Sequence, residues 1–254
     1  MNDLTITFFQ QDIVWGDADA NRQKAEERIA VSASGTDIFV VPETFTTGFG
    51  DHMASLAEPQ EGPTLQWART MAAQHNFLFV GTWIVREDDR CYNRLHWVYP
   101  DGSFGYYDKA HTFRVSGEYD IISRGTRRKV FEYKGWRIKP AVCYDLRFPK
   151  WLRNNNMQYD LLLVCANWPG SRHEAWTTLL KARAIENLSF VLGCNRCGVD
   201  GVGGKYTGNS TLIDYKGFPM VEAESGADQI VTITLDKDKL DTFRQHWPLY
   251  LDFD

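Results

Sequence analysis

The chain has 254 residues, of which 43% are hydrophobic and 24% are charged. This balance is typical of globular proteins and excludes collagen, a coiled coil or a disordered chain. Asp and Glu outnumber Lys and Arg by 33 to 28, and the formal charge of -5 argues against a general surface for nucleic acid or anionic membrane. The five cysteines are an odd number in a chain too long for a disulfide scaffold, so at least one thiol is free or paired between chains.

The N-terminal residues lack the basic segment and the apolar stretch of a signal peptide. The longest apolar runs, such as residues 161–166, are far shorter than the ~20 residues that span a bilayer. We therefore expect a cytoplasmic protein, in a reducing compartment where free thiols are ordinary. Because no repeat, low-complexity tract or flexible linker divides the sequence, we expect one domain over residues 1–254.

The first half of the chain alternates short β-branched and aromatic runs, which predict strands, with helix-forming stretches. The predicted elements are a strand at 4–9, a helix at 19–32 capped by Asp17 or Asp19, a strand at 37–41, a helix at 64–74 and a strand at 77–85. Two hairpins follow around turn sequences, with strands at 94–99 and 104–107, then at 129–133 and 136–142.

Helices and strands alternate again in the second half of the chain. The predicted elements are a helix at 149–155, a strand at 160–166, an amphipathic helix at 173–187, strands at 190–194, 210–214 and 229–235, and a helix at 236–245. Continuous apolar runs such as residues 161–164 suit strands that are buried on both faces. The pattern predicts a layered α/β protein with a mixed sheet.

Cys143 directly follows the predicted strand 136–142, at the point where the strand pattern stops. A nucleophile at a sharp strand-to-helix junction is exposed at the edge of the sheet, and the backbone N–H of Tyr144 can then point towards a developing oxyanion. The alternative is that Cys143 is a small buried side chain, as free cysteines usually are.

Two charged residues also follow predicted strands. Glu43 comes after the apolar run 38–42, where a carboxylate is costly unless it is paired or used, and it could take a thiol proton and return it to a leaving amine. Lys109 follows the strand 104–107, and near Cys143 it would lower the pKa of the thiol and stabilise an oxyanion. A loop-capping role for Glu43 and a solvated Lys109 are the alternatives.

Other motifs fit less well. The glycine-rich segment 198–206 lacks the spacing and the Ser or Thr of a phosphate-binding loop. Cys194 and Cys197 have zinc-knuckle spacing, but no second Cys or His pair follows, so we expect no metal. A Cys–His dyad through His111 or His173 is the main mechanistic alternative.

Three segments resemble the motifs of the nitrilase, or carbon–nitrogen hydrolase, superfamily and occur in that family's order: VPETFTTGF at 41–49, YDKAHTF at 107–113 and VCYDLRFP at 142–149. The segments at 166–169, 182–187 and 195–200 also look like later parts of the family pattern. The likeness covers nearly the whole chain. It implies a four-layer α-β-β-α sandwich with mixed sheets, assembled into homodimers or larger homo-oligomers.

The resemblance also implies roles for individual residues. By matching position, Glu43 is the general base and acid, Lys109 the oxyanion stabiliser and Cys143 the nucleophile. Glu118 looks like a second glutamate that many members carry between the lysine and cysteine motifs, although an ordinary loop carboxylate is the alternative. This chemistry requires neither a metal nor an organic cofactor.

Within the superfamily, TTGF at 46–49 and the short loop from Lys109 to Glu118 look most like the omega-amidase branch. Members of that branch remove the terminal amide of 2-oxo acid monoamides such as 2-oxoglutaramate and 2-oxosuccinamate. Two alternatives stay open. Another carbon–nitrogen hydrolase, acting on nitriles, carbamoyl amino acids or aliphatic amides, would use the same triad. A catalytically silent member of the fold would serve as an interaction partner.

An anionic substrate needs a cationic or hydrogen-bonding partner, and the candidates are Arg147, Arg172 and Arg196. Phe113 and Trp168 are candidates for the pocket wall. Pro140 departs from the small or aliphatic residues that are usual in the strand before the cysteine. Because proline cannot donate to the ladder, we expect an edge or a bulge at that position.

Overall fold

The computed structural model describes residues 3–252, so residues 1–2 and 253–254 of the predicted domain lie outside it. The strands are β1 (Asp3–Gln10), β2 (Ile38–Val40), β3 (Glu58–Pro59), β4 (Leu78–Glu87), β5 (Arg90–Val98), β6 (Phe104–Asp108), β7 (Phe131–Tyr133), β8 (Trp136–Val142), β9 (Leu161–Ala166), β10 (Phe190–Asn195), β11 (Cys197–Val199), β12 (Lys205–Thr207), β13 (Thr211–Ile213), β14 (Pro219–Glu222) and β15 (Gln229–Asp236). The α-helices are α1 (Ala18–Ser32), α2 (Pro63–His75), α3 (Glu118–Ile121), α4 (Pro149–Leu152), α5 (His173–Asn187) and α6 (Lys237–His246).

Two mixed sheets form the centre of the molecule. The first has the order β15-β1-β2-β4-β5-β6, with β3 beside β4, and the second has the order β14-β13-β10-β9-β8-β7. Each sheet has three parallel strands in its middle, β1-β2-β4 in the first and β8-β9-β10 in the second, with antiparallel strands outside them. The carboxyl ends of the parallel strands in each sheet therefore meet at one edge.

The central strands β2, β9 and β10 are buried on both faces, and alternate side chains point to opposite sides of each sheet. In β9, Leu161, Leu163 and Cys165 belong to the core between the two sheets, together with Leu4, Ile6 and Phe8 of β1. Leu162 and Val164 face outward and pack against Trp176, Leu180 and Ala184 of α5. The predicted α-β-β-α sandwich is confirmed.

The outer layer on the first sheet consists of α1 and α2. Ala25 and Ile29 of α1 and Ala68 of α2 are buried against Phe39 and Phe79 of the sheet. Asp17 caps α1, because its side chain accepts a hydrogen bond from the N–H of Ala20 at 3.0 Å. Over residues 3–252, no helix has both the length and the apolar sequence needed to cross a membrane.

Three local features differ from the sequence-based expectations or refine them. The helix predicted over 149–155 ends at Leu152, and the buried side chain of Asn154 instead donates to the carbonyl oxygens of Tyr159 and Asn187. The β11–β12 hairpin was not predicted. Pro140 lies at an edge, because β7 pairs with β8 only as far as Ile138 while the β8–β9 register continues without a shift.

Candidate active site

The four predicted residues Glu43, Lys109, Glu118 and Cys143 lie together at one end of the sandwich. Lys109 directly follows β6, Glu43 lies three residues after the end of β2, and both strands belong to the first sheet. Cys143 directly follows β8 in the second sheet, and Glu118 begins α3. The site therefore joins strand ends from both sheets.

Lys109 connects the two carboxylates. Its Nζ atom donates to Glu43 Oε1 at 2.8 Å and to Glu118 Oε1 and Oε2 at 2.8 and 2.9 Å. The three side chains are at most 1% exposed. Burial lowers the pKa of Lys109, but the carboxylates of Glu118 and Glu43 outweigh it and raise the pKa overall. Lys109 is therefore an ammonium ion held between two acids, and the solvated alternative is wrong.

Glu43 is fixed by neighbours from both sheets. Its Oε1 atom also accepts a hydrogen bond from Asn93 Nδ2 at 2.8 Å, and its Oε2 atom accepts one from the backbone N–H of Asn167 at 2.7 Å. Asn167 Nδ2 donates to the carbonyl oxygen of Glu43 and, at 2.9 Å, to Thr44 Oγ1. Thr44 has a left-handed φ of 44°, so the chain turns sharply directly after Glu43.

Cys143 also occupies a left-handed conformation, with φ of 42°, where β8 ends and a 3-10 helix over Cys143–Arg147 begins. Such a conformation is uncommon for a side chain other than glycine and is typical of functional sites. The thiol donates to the carbonyl oxygen of Asn167 at 3.8 Å. The predicted sharp junction at Cys143 is present, and Tyr144 follows it in the cavity wall.

Lys109 acts to lower the pKa of the Cys143 thiol, as predicted, but other groups outweigh it. Burial and the nearby charge of Glu43 raise the pKa of the Cys143 thiol well above its usual range, although Lys109 acts in the opposite direction. The cluster contains two carboxylates and one ammonium group. Burial and negative charge therefore raise the pKa of the thiol by more than Lys109 lowers it. The thiol is protonated near neutral pH and needs a base before it can act as a nucleophile.

Asp145 links the lysine segment to the cysteine turn. Its buried Oδ2 atom accepts hydrogen bonds from Tyr107 OH at 2.8 Å and from the N–H of Val142 at 3.1 Å. Its Oδ1 atom lies 3.0 Å from the backbone N of His111 and 2.7 Å from His111 Nδ1. The His111 ring stacks on Phe148 with 3.7 Å between the ring centroids, and His111 is not among the residues that line the cavity beside Cys143, which argues against the Cys143–His111 dyad.

A cavity of about 710 Å³ opens above the cluster. Its lining includes Lys109, Cys143 and Asn167 together with Tyr144 and the four predicted wall or binding residues Phe113, Arg147, Trp168 and Arg172. The Arg147 guanidinium lies 4.9 Å from the Trp168 ring and that of Arg172 lies 5.2 Å from the Phe113 ring. The aromatic rings therefore support both guanidinium groups.

Arg196 is not brought to the cavity. Its side chain is fully buried, and its Nη2 atom lies 3.2 Å from Asp12 Oδ1 while its Nε donates to the carbonyl oxygen of Cys197 at 2.9 Å. Its guanidinium also lies 4.6 Å from the ring of Tyr206, a cavity residue on β12. Arg196 supports the β11–β12 hairpin, and the hairpin completes the cavity wall.

Sequence reasoning missed Asn93, Asn167 and Asp145. Asn167 had a usable signal, because it directly follows the predicted strand 160–166 just as Cys143 follows the strand 136–142. Asn93 lies inside β5 and had none, since its role depends on which residues face it from neighbouring elements. Asp145 lies within the cysteine motif, but three of its four donors come from the distant segment 107–111, and the fourth is the nearby N–H of Val142.

Comparison with known proteins finds relatives over the full length of the chain. The family model described as carbon-nitrogen hydrolase matches residues 5–245. Omega-amidase YafV of Yersinia enterocolitica is 42% identical over 100% of this chain and 98% of its own. The 2-oxoglutaramate amidase of Bacillus subtilis is 33% identical over 98% of this chain and 96% of its own. A similar solved structure is that of a CN-hydrolase superfamily protein from Xanthomonas campestris with an arsenic adduct in its active site. It has a TM-score of 0.98 and 42% sequence identity, and the match covers 100% of this chain and 98% of that chain.

Proposed function

This chain belongs to the carbon–nitrogen hydrolase family, and we propose that it is an omega-amidase that converts 2-oxo dicarboxylic acid monoamides to the acid and ammonia. Relatives named omega-amidase and 2-oxoglutaramate amidase support the substrate class. The observation that carries the proposal is the buried cluster of Glu43, Lys109 and Cys143 at the base of a cavity with two guanidinium groups in its wall.

The first half of the reaction forms a thioester. Glu43 takes the proton of Cys143 while the sulfur attacks the amide carbon, and the carbonyl oxygen becomes an oxyanion held by Lys109 and the N–H of Tyr144. The tetrahedral intermediate then breaks its C–N bond. Glu43 returns the proton to the departing nitrogen, which leaves as ammonia.

The second half restores the enzyme. Glu43 takes a proton from water as the water oxygen attacks the thioester carbon, and the same oxyanion donors stabilise the second tetrahedral intermediate. The C–S bond breaks, the acid is released and the proton returns to the sulfur of Cys143. Atoms and charges balance with the side chains and water alone, so the proposal includes no metal or cofactor.

Glu118 is proposed to align Lys109. Both of its oxygens accept hydrogen bonds from Lys109 Nζ, and its Oε2 also accepts one from the N–H of Phe113 at 2.6 Å. Burial raises the pKa of Glu118, Lys109 opposes that shift and Glu43 adds to it. Because Lys109 and the N–H of Phe113 occupy its oxygens, the carboxyl of Glu118 fixes the direction of the ammonium group.

Arg147 and Arg172 are proposed to bind the carboxylate of the substrate. Both line the cavity, and among residues 3–252 neither forms an ion pair with an acidic side chain. A guanidinium binds a carboxylate through two parallel hydrogen bonds, and stacking on an aromatic ring limits the freedom that it loses on binding. This arrangement favours an anionic amide over a nitrile or a neutral aliphatic amide.

We also propose an oligomeric state and a cellular location for this protein. We expect a homodimer or larger homo-oligomer, since Phe218, Trp247 and Leu251 expose 66%, 56% and 72% of their surface. We expect the enzyme to work in the cytoplasm, because its five cysteines are free thiols. Light scattering of the purified protein tests the first expectation, and a monomer at micromolar concentration would contradict it.

The activity is tested by ammonia release from 2-oxoglutaramate, 2-oxosuccinamate, carbamoyl amino acids, aliphatic amides and nitriles. We expect the 2-oxo amides to have the highest kcat/KM, Cys143→Ala to abolish turnover, and Cys91→Ala to retain it because Cys91 lies outside the cavity lining. Full activity in Cys143→Ala would refute the mechanism. Turnover restricted to another substrate class would favour a different carbon–nitrogen hydrolase. No turnover, with Cys143 unreactive towards iodoacetamide, would favour a silent interaction protein.

A further inference from the structure

The hydrogen bonds of Glu43 leave one acceptor position open. An ionised carboxylate has about four lone-pair sites, two on each oxygen. Oε1 receives donors from Lys109 Nζ and Asn93 Nδ2, both at 2.8 Å, and Oε2 receives the backbone N–H of Asn167 at 2.7 Å. The remaining position is on Oε2, the oxygen that accepts the backbone N–H of Asn167, and the carbonyl oxygen of the same Asn167 lies 3.8 Å from the sulfur of Cys143.

Asn93 is an unusual residue for its place in the fold. It is fully buried on β5, and its Nδ2 atom also lies 3.5 Å from Glu118 Oε1. Its Oδ1 atom is buried and has no hydrogen-bond partner among residues 3–252. A buried amide oxygen without a donor destabilises the fold, so an apolar side chain of similar size would suit the packing better. The benefit of the amide must therefore lie in its N–H groups, which face the two carboxylates.

We propose that Asn93 is a positioning residue that fixes the Glu43 carboxylate with its one open lone pair towards Cys143. Asn93 fills the second position on Oε1, so this oxygen cannot turn towards the thiol while Lys109 holds its first position. The backbone of Asn93 also holds Lys109 in place, because the carbonyl oxygen of Asn93 accepts the backbone N–H of Lys109 at 3.0 Å. The inference rests on the proposed role of Glu43 as the base.

The charged groups that face Glu43 determine what the loss of Asn93 does. They are Lys109, Glu118 and the thiol of Cys143. Without Asn93 Nδ2, the negative carboxylate loses a donor that stabilises its ionised form, while the repulsion from Glu118 is unchanged. The carboxylate then gains freedom to turn away from the thiol.

The test uses Asn93→Leu, which keeps the approximate volume and removes the donor. We expect kcat for 2-oxoglutaramate to fall about 10- to 100-fold with KM within about 2-fold, since the base and not the binding wall is misplaced. We also expect iodoacetamide to alkylate Cys143 more slowly at pH 7, because the misplaced carboxylate no longer takes up the thiol proton.

Asn154→Leu is the matched control, because Asn154 is a buried asparagine that donates only to structural carbonyl oxygens beside α4 and α5. It should lower stability and leave kcat and the alkylation rate unchanged. Asn93→Ala serves if the leucine variant does not fold, with the same expected losses. An Asn93 variant with a wild-type kcat and alkylation rate would overturn the inference. Alkylation needs no substrate, so it tests Asn93 even if the proposed omega-amidase activity is absent.

Discussion

Asp145→Asn should damage both the stability and the activity of this protein, because one carboxylate holds the two chain segments that carry Lys109 and Cys143. Its four donors are Tyr107 OH, the N–H of Val142, and the N–H and Nδ1 of His111. An asparagine of the same shape keeps one oxygen, which can serve two of these donors. The NH2 group of the asparagine then faces the other two donors, which lose their acceptor.

The size of the effect follows from the groups left unpaired. A buried donor without an acceptor costs about 1–3 kcal/mol. The N–H of Val142 cannot accept from the new amide, and the Tyr107 hydroxyl oxygen already accepts the N–H of Ala110 and Trp151 Nε1. With the loss of charge in two further hydrogen bonds, we expect the free energy of unfolding to fall by about 2–5 kcal/mol. We expect kcat to fall about 100-fold, because the N–H of Val142 directly precedes the turn at Cys143.

The assay combines urea unfolding with kcat and KM for the best amide substrate. Asp160→Asn is the matched control, because Asp160 precedes β9 at the opposite end from Asn167 and bonds to Arg137 and Arg244. Both variants should lose stability, but only Asp145→Asn should lose kcat in a sample that is still folded. If Asp145→Asn keeps a wild-type kcat, the cysteine turn does not depend on this carboxylate and the reasoning fails.

Three further predictions concern charge. Glu118→Gln should lower kcat about 10- to 100-fold without unfolding the protein, since Lys109 loses one of its two carboxylate partners. A wild-type kcat would contradict the proposal that Glu118 aligns Lys109. Burial opposes ionisation of Asp160, but hydrogen bonds from three basic side chains outweigh it and hold its pKa well below the usual range. Asp160→Asn should therefore lower the free energy of unfolding by about 3–5 kcal/mol at pH 7, and the difference from wild type should shrink below about pH 4. An equal difference at pH 3 and pH 7 would refute this. Burial lowers the pKa of Lys139 to about 8, with Arg128 contributing. Lys139→Met should therefore stabilise the protein by about 1–3 kcal/mol at pH 7, and this gain should fade as the pH rises from about 8 to about 10.5. Urea unfolding across this pH range measures the gain, and a constant gain would contradict the burial of a charged Lys139.

Local patterns in the sequence predicted a layered α/β protein with a mixed sheet, and the family resemblance implied the four-layer sandwich. Apolar runs of strand length, such as Leu161–Ala166, and the amphipathic helix His173–Asn187 specify layers regardless of their neighbours. The same locality revealed Glu43, Lys109 and Cys143, since each follows a strand and strand ends gather at one edge. The order of the strands within the two sheets and the β11–β12 hairpin depend on distant pairing, which no local pattern encodes.

The electrostatics of the site were less predictable. From the sequence, Lys109 appears as a cation that would acidify Cys143. In the structure the ammonium is held by Glu43 and Glu118, and burial keeps the thiol protonated. Asn93 shows the same limit, because inside a strand it has the pattern of any inward-facing polar residue. Its contact with Glu43 bridges 50 residues of sequence.

The division of the site between the two sheets makes their packing part of the chemistry. Glu43 and Lys109 follow strands of the first sheet, whereas Cys143 and Asn167 directly follow β8 and β9 of the second. Asn167 joins the halves, with its backbone N–H on Glu43 Oε2, its side chain on the Glu43 carbonyl and its own carbonyl oxygen facing the Cys143 thiol. A shift of one sheet against the other would move Glu43 and Cys143 apart without breaking any strand ladder. Since interiors are close-packed and resist such sliding, the shared core of Leu4, Ile6 and Phe8 with Leu161 and Leu163 keeps these two residues at a constant separation.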